Sequence, residues 1–428
     1  MSEARAEDGS TIPLFASSDN WALLQAFVDA HTSIHLPAGD WWLSRPLNIG
    51  NAAKELVGSG VEGTTLRNVG TYGGPVVGIG GDGRWTGSAG YGRADGTIIR
   101  GMTLWQEDET TANCKCLFIE TADDVLVENL RVRGSSYEGI VSGSNLFDIT
   151  FRDIEAWDCG NGGPAYALST AGINATSIDL LIEDFRTLRC GQGVETGNTR
   201  VTVRRGVVSE PGAGLPSIGI NIGSSVYGVW RTAVEDVVIS GYDSAVITGS
   251  GNGRLAGVYL RRLTIYEDGV EGTSPITFGG GALNNTVPHA DQGPTTEGSI
   301  IEDCNIYITS PHNGGIGYNS GVVDNDGLYG REPLVMRRNK VYMDLDDPSE
   351  QTAPIYFVAG EVGAVVGVYE NEVHGLPEGP SRGDLATFTN GLNVAIPEMP
   401  TLGYSGNLAF NASGARRSFD VLIEGLEI

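Results

Sequence analysis

Three carboxylates carry the residue types and neighbours that acid–base chemistry needs: Glu138 in Ser136-Tyr137-Glu138-Gly139-Ile140, Asp158 in Trp157-Asp158-Cys159-Gly160, and Glu195 in Gly193-Val194-Glu195-Thr196-Gly197. Cleavage of a glycosidic acetal takes two such groups, one protonated to assist departure of the leaving oxygen and one ionised to activate water or attack carbon. Tyr137, Trp157, Tyr166 and Trp230 offer flat apolar faces on which sugar rings pack, and Arg189 in Leu188-Arg189-Cys190-Gly191 is a further candidate substrate contact. These residues are too far apart in sequence to meet on one strand or helix. Only an architecture that returns the chain to the same place can bring them together.

The sequence contains such a return. A charged residue, then usually Gly, Asn or Asp, then usually an apolar residue, recurs about once per expected coil, and its first member alternates in sign through Arg100, Glu128, Arg152, Glu183, Arg205, Glu235, Arg261, Glu302, Arg338 and Glu370. In a parallel β-helix equivalent residues of successive coils stack about 4.8 Å apart, so alternating charges form an outward ladder where like charges would repel. This reading predicts that Arg100, Glu128, Arg152, Glu183 and Arg205 share one column. It also removes the ladder glutamates from the catalytic search, leaving Glu138, Asp158 and Glu195 on the next strand or turn of three consecutive coils. Adjacent coils would hold such groups about 5 Å apart and alternate coils about 10 Å, spanning retaining and inverting separations.

Asn145, Asn174, Asn198 and Asn252 precede the next charged motif by similar intervals beside Gly or Ser, with Ser225 in the intervening coil, and predict a stacked asparagine column at a turn. Cys159 and Cys190 occupy matching places in their coils and predict stacked inward thiols. The five cysteines are an odd number with no paired C-x-x-C arrangement, and are expected to be buried and reduced.

Composition fits this architecture. There are 63 glycines, 40% apolar and 19% charged residues, as expected for many short strands joined by tight turns and not for a disordered chain. The 53 acidic against 27 basic residues give a net charge of −26, which repels nucleic-acid phosphates and anionic membranes. Neither is expected as a partner, and neutral glycans are favoured over anionic ones unless a cation such as Ca²⁺ intervenes. The start, MSEARAEDGST, lacks the basic and apolar regions of a signal peptide, and no apolar stretch approaches a membrane span.

Ser17, Ser18 and Asp19 offer N-caps to an amphipathic segment whose apolar face is Trp21, Leu23, Leu24, Phe27 and Val28. Leu36-Pro37-Ala38-Gly39-Asp40-Trp41-Trp42-Leu43 then reads as a turn and a strand, and Pro46-Leu47-Asn48-Ile49 opens another. A capped helix followed by this Leu-Pro-Ala-Gly-x-Trp-x-Leu-x-x-Pro-Leu run resembles the N-terminal entry of pectate-lyase-like right-handed parallel β-helix proteins, which include polysaccharide-degrading enzymes and phage tailspikes. The resemblance covers about the first 70 residues. It implies an all-β, single-stranded right-handed parallel β-helix of ten or more coils, with the helix closing its open end. The expected organisation is an entry over 1–50, the β-helix over 51–375 with loop excursions near 267–298 (including His289 and Asp291) and 319–332, and irregular C-terminal coils and cap over 376–428, with a final strand within 419–426.

The resemblance implies a poly- or oligosaccharide partner and an extracellular or virion-associated setting. Three functions share the fold. The first is an enzyme cleaving or rearranging glycosidic bonds through the paired carboxylates, with no cofactor required. The second is a Ca²⁺-dependent polysaccharide lyase, with Arg133, Arg189 or Arg231 in candidate turns and Asp324-Asn325-Asp326 or Asp344-Leu345-Asp346-Asp347 to hold calcium. The third is a non-catalytic tailspike or glycan adhesin, for which a homotrimer is expected. The Asn-Thr-Asp, Asp-Asp, Gly-His-Gly and Arg-Ile-Lys series of polygalacturonase-like hydrolases, the pectate-lyase Asp-His and Arg-x-Pro-x-x-Arg segments, and the Asp-Pro-His-Glu of alginate epimerases are absent as sets. No single family's active site can therefore be transferred to this chain.

Overall fold

A computed structural model of the chain describes residues 2–70, 74–81, 92–107, 114–143, 146–160, 171–212, 218–223, 229–248, 255–267, 275–279, 298–309, 316–319, 334–343, 355–358, 365–376, 386–389, 401–411, 413, 416–417 and 421–423. They form two compact units, residues 1–196 with 201–216 and residues 197–200 with 217–428. Tyr166, Asn145, Ser225, Asn252, His289, Asp291, both acidic runs considered for calcium and most of the two loop excursions lie outside the described residues.

In the first unit the long strands Ile98–Gln106, Val125–Arg133, Ile149–Trp157, Leu180–Leu188 and Val201–Ser209 pair in parallel, each one coil beyond the last. Between them the chain visits a second parallel sheet built from Leu47–Ile49, Pro75–Ile79, Lys115–Ile119, Glu138–Ser142, Ala171–Ala175 and Gln192–Thr196. The second unit repeats this alternation. Leu255–Arg261, Ser299–Glu302, Leu334–Arg337, Val365–Tyr369 and Thr401–Ser405 pair in parallel in one sheet, and Ile218–Ile222, Ser244–Thr248, Ile276–Gly279, Ile316–Asn319 and Ile355–Val358 in the other. The fold is the expected right-handed parallel β-helix.

The core consists of stacked columns. Ile99, Val127, Phe151, Ile182 and Val203 share one register position and are fully buried; each such side chain contributes about 1.5–3 kcal/mol against exposure. Cys116, Cys159 and Cys190 are inward thiols, and all five cysteines are buried outside any disulfide, as the sequence predicts. The helix Trp21–Ala30 buries Leu24, Phe27 and Val28, while Leu23 points outward at 46% exposed. Gln25 fastens the helix to the first coil by exchanging two hydrogen bonds with the Asn48 backbone. The N-cap is Asn20 and not one of Ser17, Ser18 and Asp19, and its side chain makes no capping bond; the Asp19 carboxylate just before it accepts the Trp21 N–H and also the Ser44 N–H and hydroxyl.

The charged ladder exists, with a corrected register. Each long strand bends at a left-handed residue: Gly101, Asn129, Asp153, Asp184 and Arg205 in the first unit, Asp236, Arg262, Asp303, Arg338 and Glu370 in the second. The residue before the bend forms the predicted column, which runs Arg100, Glu128, Arg152, Glu183 and Arg204. Arg205 stands one position on, as does Arg338, whose place in the column belongs to Arg337. Glu370 is displaced likewise, since Tyr369 pairs with Arg337. Sequence cannot separate twin arginines, but the backbone does. A left-handed non-glycine residue is strained by about 1 kcal/mol or more, and Arg205, Arg262 and Arg338 offset this with paired hydrogen bonds to Asp184, Asp236 and Asp303 of the preceding coil. Gly206 follows because a Cβ there would meet the Phe185 ring at 2.1 Å.

The asparagine column is real but lies elsewhere. Asn339, Asn371 and Asn407, each directly after a bend, pass hydrogen bonds from amide to amide at 3.0 and 3.1 Å. Of the asparagines proposed from sequence, Asn174 instead stands among carboxylates, and Asn198 is buried, its side-chain oxygen accepting the Thr199 N–H.

Candidate active site

The second sheet of the first unit gathers polar side chains in two neighbouring register positions. Lys115 and Glu138 are aligned at the first position of successive coils. Asn174 and Glu195 are aligned at a position three residues further along the strand, which Phe118 and Val141 occupy in the preceding coils. Two contacts join the positions. The Lys115 ammonium lies 3.3 Å from Glu138 Oε2, with the two side chains only 11% and 4% exposed. The Asn174 amide nitrogen donates to Glu138 Oε1 at 3.0 Å and to Glu195 Oε2 at 3.3 Å. Acceptors on the two N–H bonds of one amide stand about 5–6 Å apart, so Asn174 sets the separation of the carboxyl groups.

The electrostatics are asymmetric. Glu138 has an ammonium partner, and Lys115 itself rests 4.8 Å from the centroid of the Tyr137 ring and 5.7 Å from that of Phe118. Glu195 has the amide. Burial, together with the charge of Glu138, pushes the Glu195 carboxyl up to about 7. Near neutrality the site can therefore hold a proton on Glu195 beside a Glu138 carboxyl that faces an ammonium, an asymmetry of the kind that acid-assisted cleavage with nucleophilic or base attack uses.

Two of the three carboxylates selected from sequence thus meet. Asp158 does not join them. It occupies another left-handed bend, at the end of Ile149–Trp157, where both its oxygens accept hydrogen bonds from Arg189 at 2.6 and 3.0 Å. Asp158 and Arg189 are one more corner ion pair, and the matching sequence positions reflected that shared corner. Trp157 aligns with Arg133 on the outer face of the first sheet, where Trp42, Arg67, Trp105, Arg133 and Trp157 share one column. Arg67 lies 3.8 Å from the Trp105 centroid and Arg131 lies 4.1 Å from that of Trp157. This column is a cation–π stack. Trp230 belongs to the second unit, 37% exposed and flanked by Arg231 at 5.1 Å. Of the proposed aromatic contacts among the described residues, Tyr137 is the one placed beside the carboxylate pair.

Sequence reasoning missed Lys115 and Asn174. Lys115 was one of only three lysines and so carried a compositional signal, whereas Asn174 was absorbed into the supposed asparagine column. Among the described residues no cluster of three or more His, Cys, Asp or Glu is arranged to hold a metal ion, and no helix is long and apolar enough to cross a membrane.

The same coil architecture recurs in solved structures. The A-module of the mannuronan C-5 epimerase AlgE4 of Azotobacter vinelandii superposes with a TM-score of 0.52 at 12% identity, over 96% of this chain and 94% of that one. The Streptococcus pneumoniae surface protein and adhesin PfbA superposes with a TM-score of 0.57 at 12% identity, over 95% and 96%. The shared fold is a parallel β-helix. This β-helix also resembles the AlgE6 A-module of the same bacterium, with a TM-score of 0.51 at 12% identity over 92% and 95%. No protein-family model and no curated protein sequence matches the chain. At such identity the likeness concerns the fold, and the function of the β-helix has to be argued from its own site.

Proposed function

We propose that this β-helix is a carbohydrate-active enzyme that cleaves or rearranges glycosidic bonds of a poly- or oligosaccharide through Glu138 and Glu195. The observation that carries the proposal is the Asn174 amide held between two carboxyl groups, of which Glu138 faces the Lys115 ammonium. A separation of about 5–6 Å corresponds to the retaining class, at about 5–5.5 Å, and not to the inverting class, at about 6.5–9.5 Å. Glu195 then donates its proton to the departing glycosidic oxygen while a Glu138 oxygen bonds to the anomeric carbon. In the second step Glu195 takes a proton from water or an acceptor hydroxyl, whose oxygen displaces Glu138. Water gives hydrolysis and a sugar hydroxyl gives transfer. The occurrence of this fold in a mannuronan epimerase supports a saccharide ligand.

The test is incubation with neutral glucans, fructans, pectate, alginate and capsular polysaccharide, with products weighed by mass spectrometry and their anomeric configuration followed by proton NMR. Saturated products with retained anomeric configuration, lost in Glu138→Gln and Glu195→Gln, support the reading. Unsaturated products that vanish on chelation would replace it with a Ca²⁺-dependent lyase, and glycan binding without any product would replace it with an adhesin or tailspike.

A further inference from the structure

A buried pair of carboxyl groups sharing one amide could hold its proton on either member, and the Asn174 amide, which donates to both, does not choose between them. Lys115 makes the distinction. Its ammonium faces Glu138 from the adjacent coil at 3.3 Å and is 11% exposed, in a slot where bulk water screens it little. The Tyr137 and Phe118 rings beside it add cation–π attraction and hold the ammonium in place. Among the described residues the charge acting on Glu195 is that of Glu138, and Lys115 acts through Glu138.

We propose that Lys115 is a positioning residue that divides the labour of the pair, keeping Glu138 ionised as the attacking group and leaving the site's one proton on Glu195. The proposal rests on the reading of Glu138 and Glu195 as the working pair, but its physical content can be measured without a substrate. Without Lys115, Glu138 and Glu195 become two like groups with a common donor, and such pairs titrate jointly and not as separate residues.

The experiment is a titration of the intact chain labelled with ¹³C at the glutamate carboxyl carbon, from about pH 4 to about pH 9, with the two signals assigned from Glu138→Gln and Glu195→Gln. In the unsubstituted chain the Glu195 signal is expected to titrate at about 7 while that of Glu138 stays at its ionised position. In Lys115→Met both signals should move in the same step, and Lys115→Arg should restore the separation. A Glu138 signal unmoved by Lys115→Met would overturn the proposal, as would a neutral-range titration that belongs to Glu138 in the unsubstituted chain. If Lys115→Met does not fold by circular dichroism, Lys115→Gln keeps a polar group in the slot without the charge and carries the same expectation. On whichever polysaccharide is turned over, loss of the fixed charge should lower kcat by about tenfold or more and shift its pH profile. The two ideas fail separately. Joint titration in Lys115→Met with a fully active Glu138→Gln would remove the working pair and keep the role of Lys115, whereas independent titration with an inactive Glu138→Gln would do the reverse.

Discussion

Glu183 and Glu195 lie in the same unit, each stacked in a parallel sheet, yet their surroundings drive their chemistry in opposite directions. Glu183, on the ladder, receives hydrogen bonds from Arg152, Arg204 and Arg205 at 2.7–3.0 Å. Led by the bond from Arg152, these contacts bring its carboxyl down to about 2. Glu195, on the other sheet, has an amide and a neighbouring carboxylate, and rises to about 7. Glu183 stacks between Arg152 and Arg204, and Glu195 stacks on Asn174 of the preceding coil, so stacking alone decides nothing. Their surroundings do: arginine hydrogen bonds act on Glu183, whereas burial first and then the charge of Glu138 act on Glu195. Around Glu183 arginine is in excess and the carboxyl is held low. At the candidate site, among the described residues, Lys115 faces Glu138 and the Glu195 carboxyl is raised.

The largest effects should separate the two regions outright. Glu138→Gln or Glu195→Gln should lower turnover by about 10²–10⁴-fold or more, with the unfolding midpoint of Glu195→Gln close to that of the unsubstituted chain at acid pH. Glu183→Gln should show the inverse, with turnover retained and stability reduced by about 2 kcal/mol in urea unfolding, because three arginines lose a common anion. A Glu183→Gln chain as stable as the parent would mean that its three guanidinium contacts contribute nothing net.

The ladder was legible in sequence because alternating charge leaves a signature in residue type. The bend that fixes its register is a backbone conformation, and where twin arginines offered two registers, at 204–205 and 337–338, residue type alone could not choose. Glu138 and Glu195 were legible once the ladder glutamates had been removed. Asn174 was not, because an amide beside glycine and serine has the same appearance whether it stacks on other amides or bridges carboxylates. Asp158 was drawn in by its position beside tryptophan and cysteine, which repeats from coil to coil for reasons of packing. The real amide column escaped notice because Asn339 and Asn371 are second members of the charged motif itself, and Asn407 follows the Gly406 bend outside any such motif.

A smaller effect sharpens the contrast through pH. The Glu195 carboxyl is raised from 4.5 to about 7, so the folded chain keeps a proton that the unfolded chain has released. Its contribution to stability is complete below about pH 4.5 and is lost as pH rises to about 7. The Glu183 carboxyl is lowered from 4.5 to about 2, and its contribution is complete above about pH 4.5 and is lost as pH falls toward 2. Glu195→Gln should therefore flatten the neutral limb of a stability–pH curve, and Glu183→Gln the acid limb. Unchanged limbs in the two variants would show that other groups govern the curve.

The smallest effect tests whether Asp158 is only a corner residue. It is 36% exposed, and its partner Arg189 is 44% exposed with Glu210 as a second anion at 3.8 Å. Exposed pairs of this kind contribute about 0.2–1 kcal/mol, and asparagine is, with aspartate, the residue best suited to the left-handed bend. Asp158→Asn should thus leave the backbone unstrained, lower the unfolding free energy by about 0.5 kcal/mol or less, and leave turnover within about twofold of the parent. A loss of turnover approaching that of Glu195→Gln would require Asp158 to act on substrate despite its ion pair, and would break the division between ladder carboxylates that position the backbone and the one pair that keeps a proton.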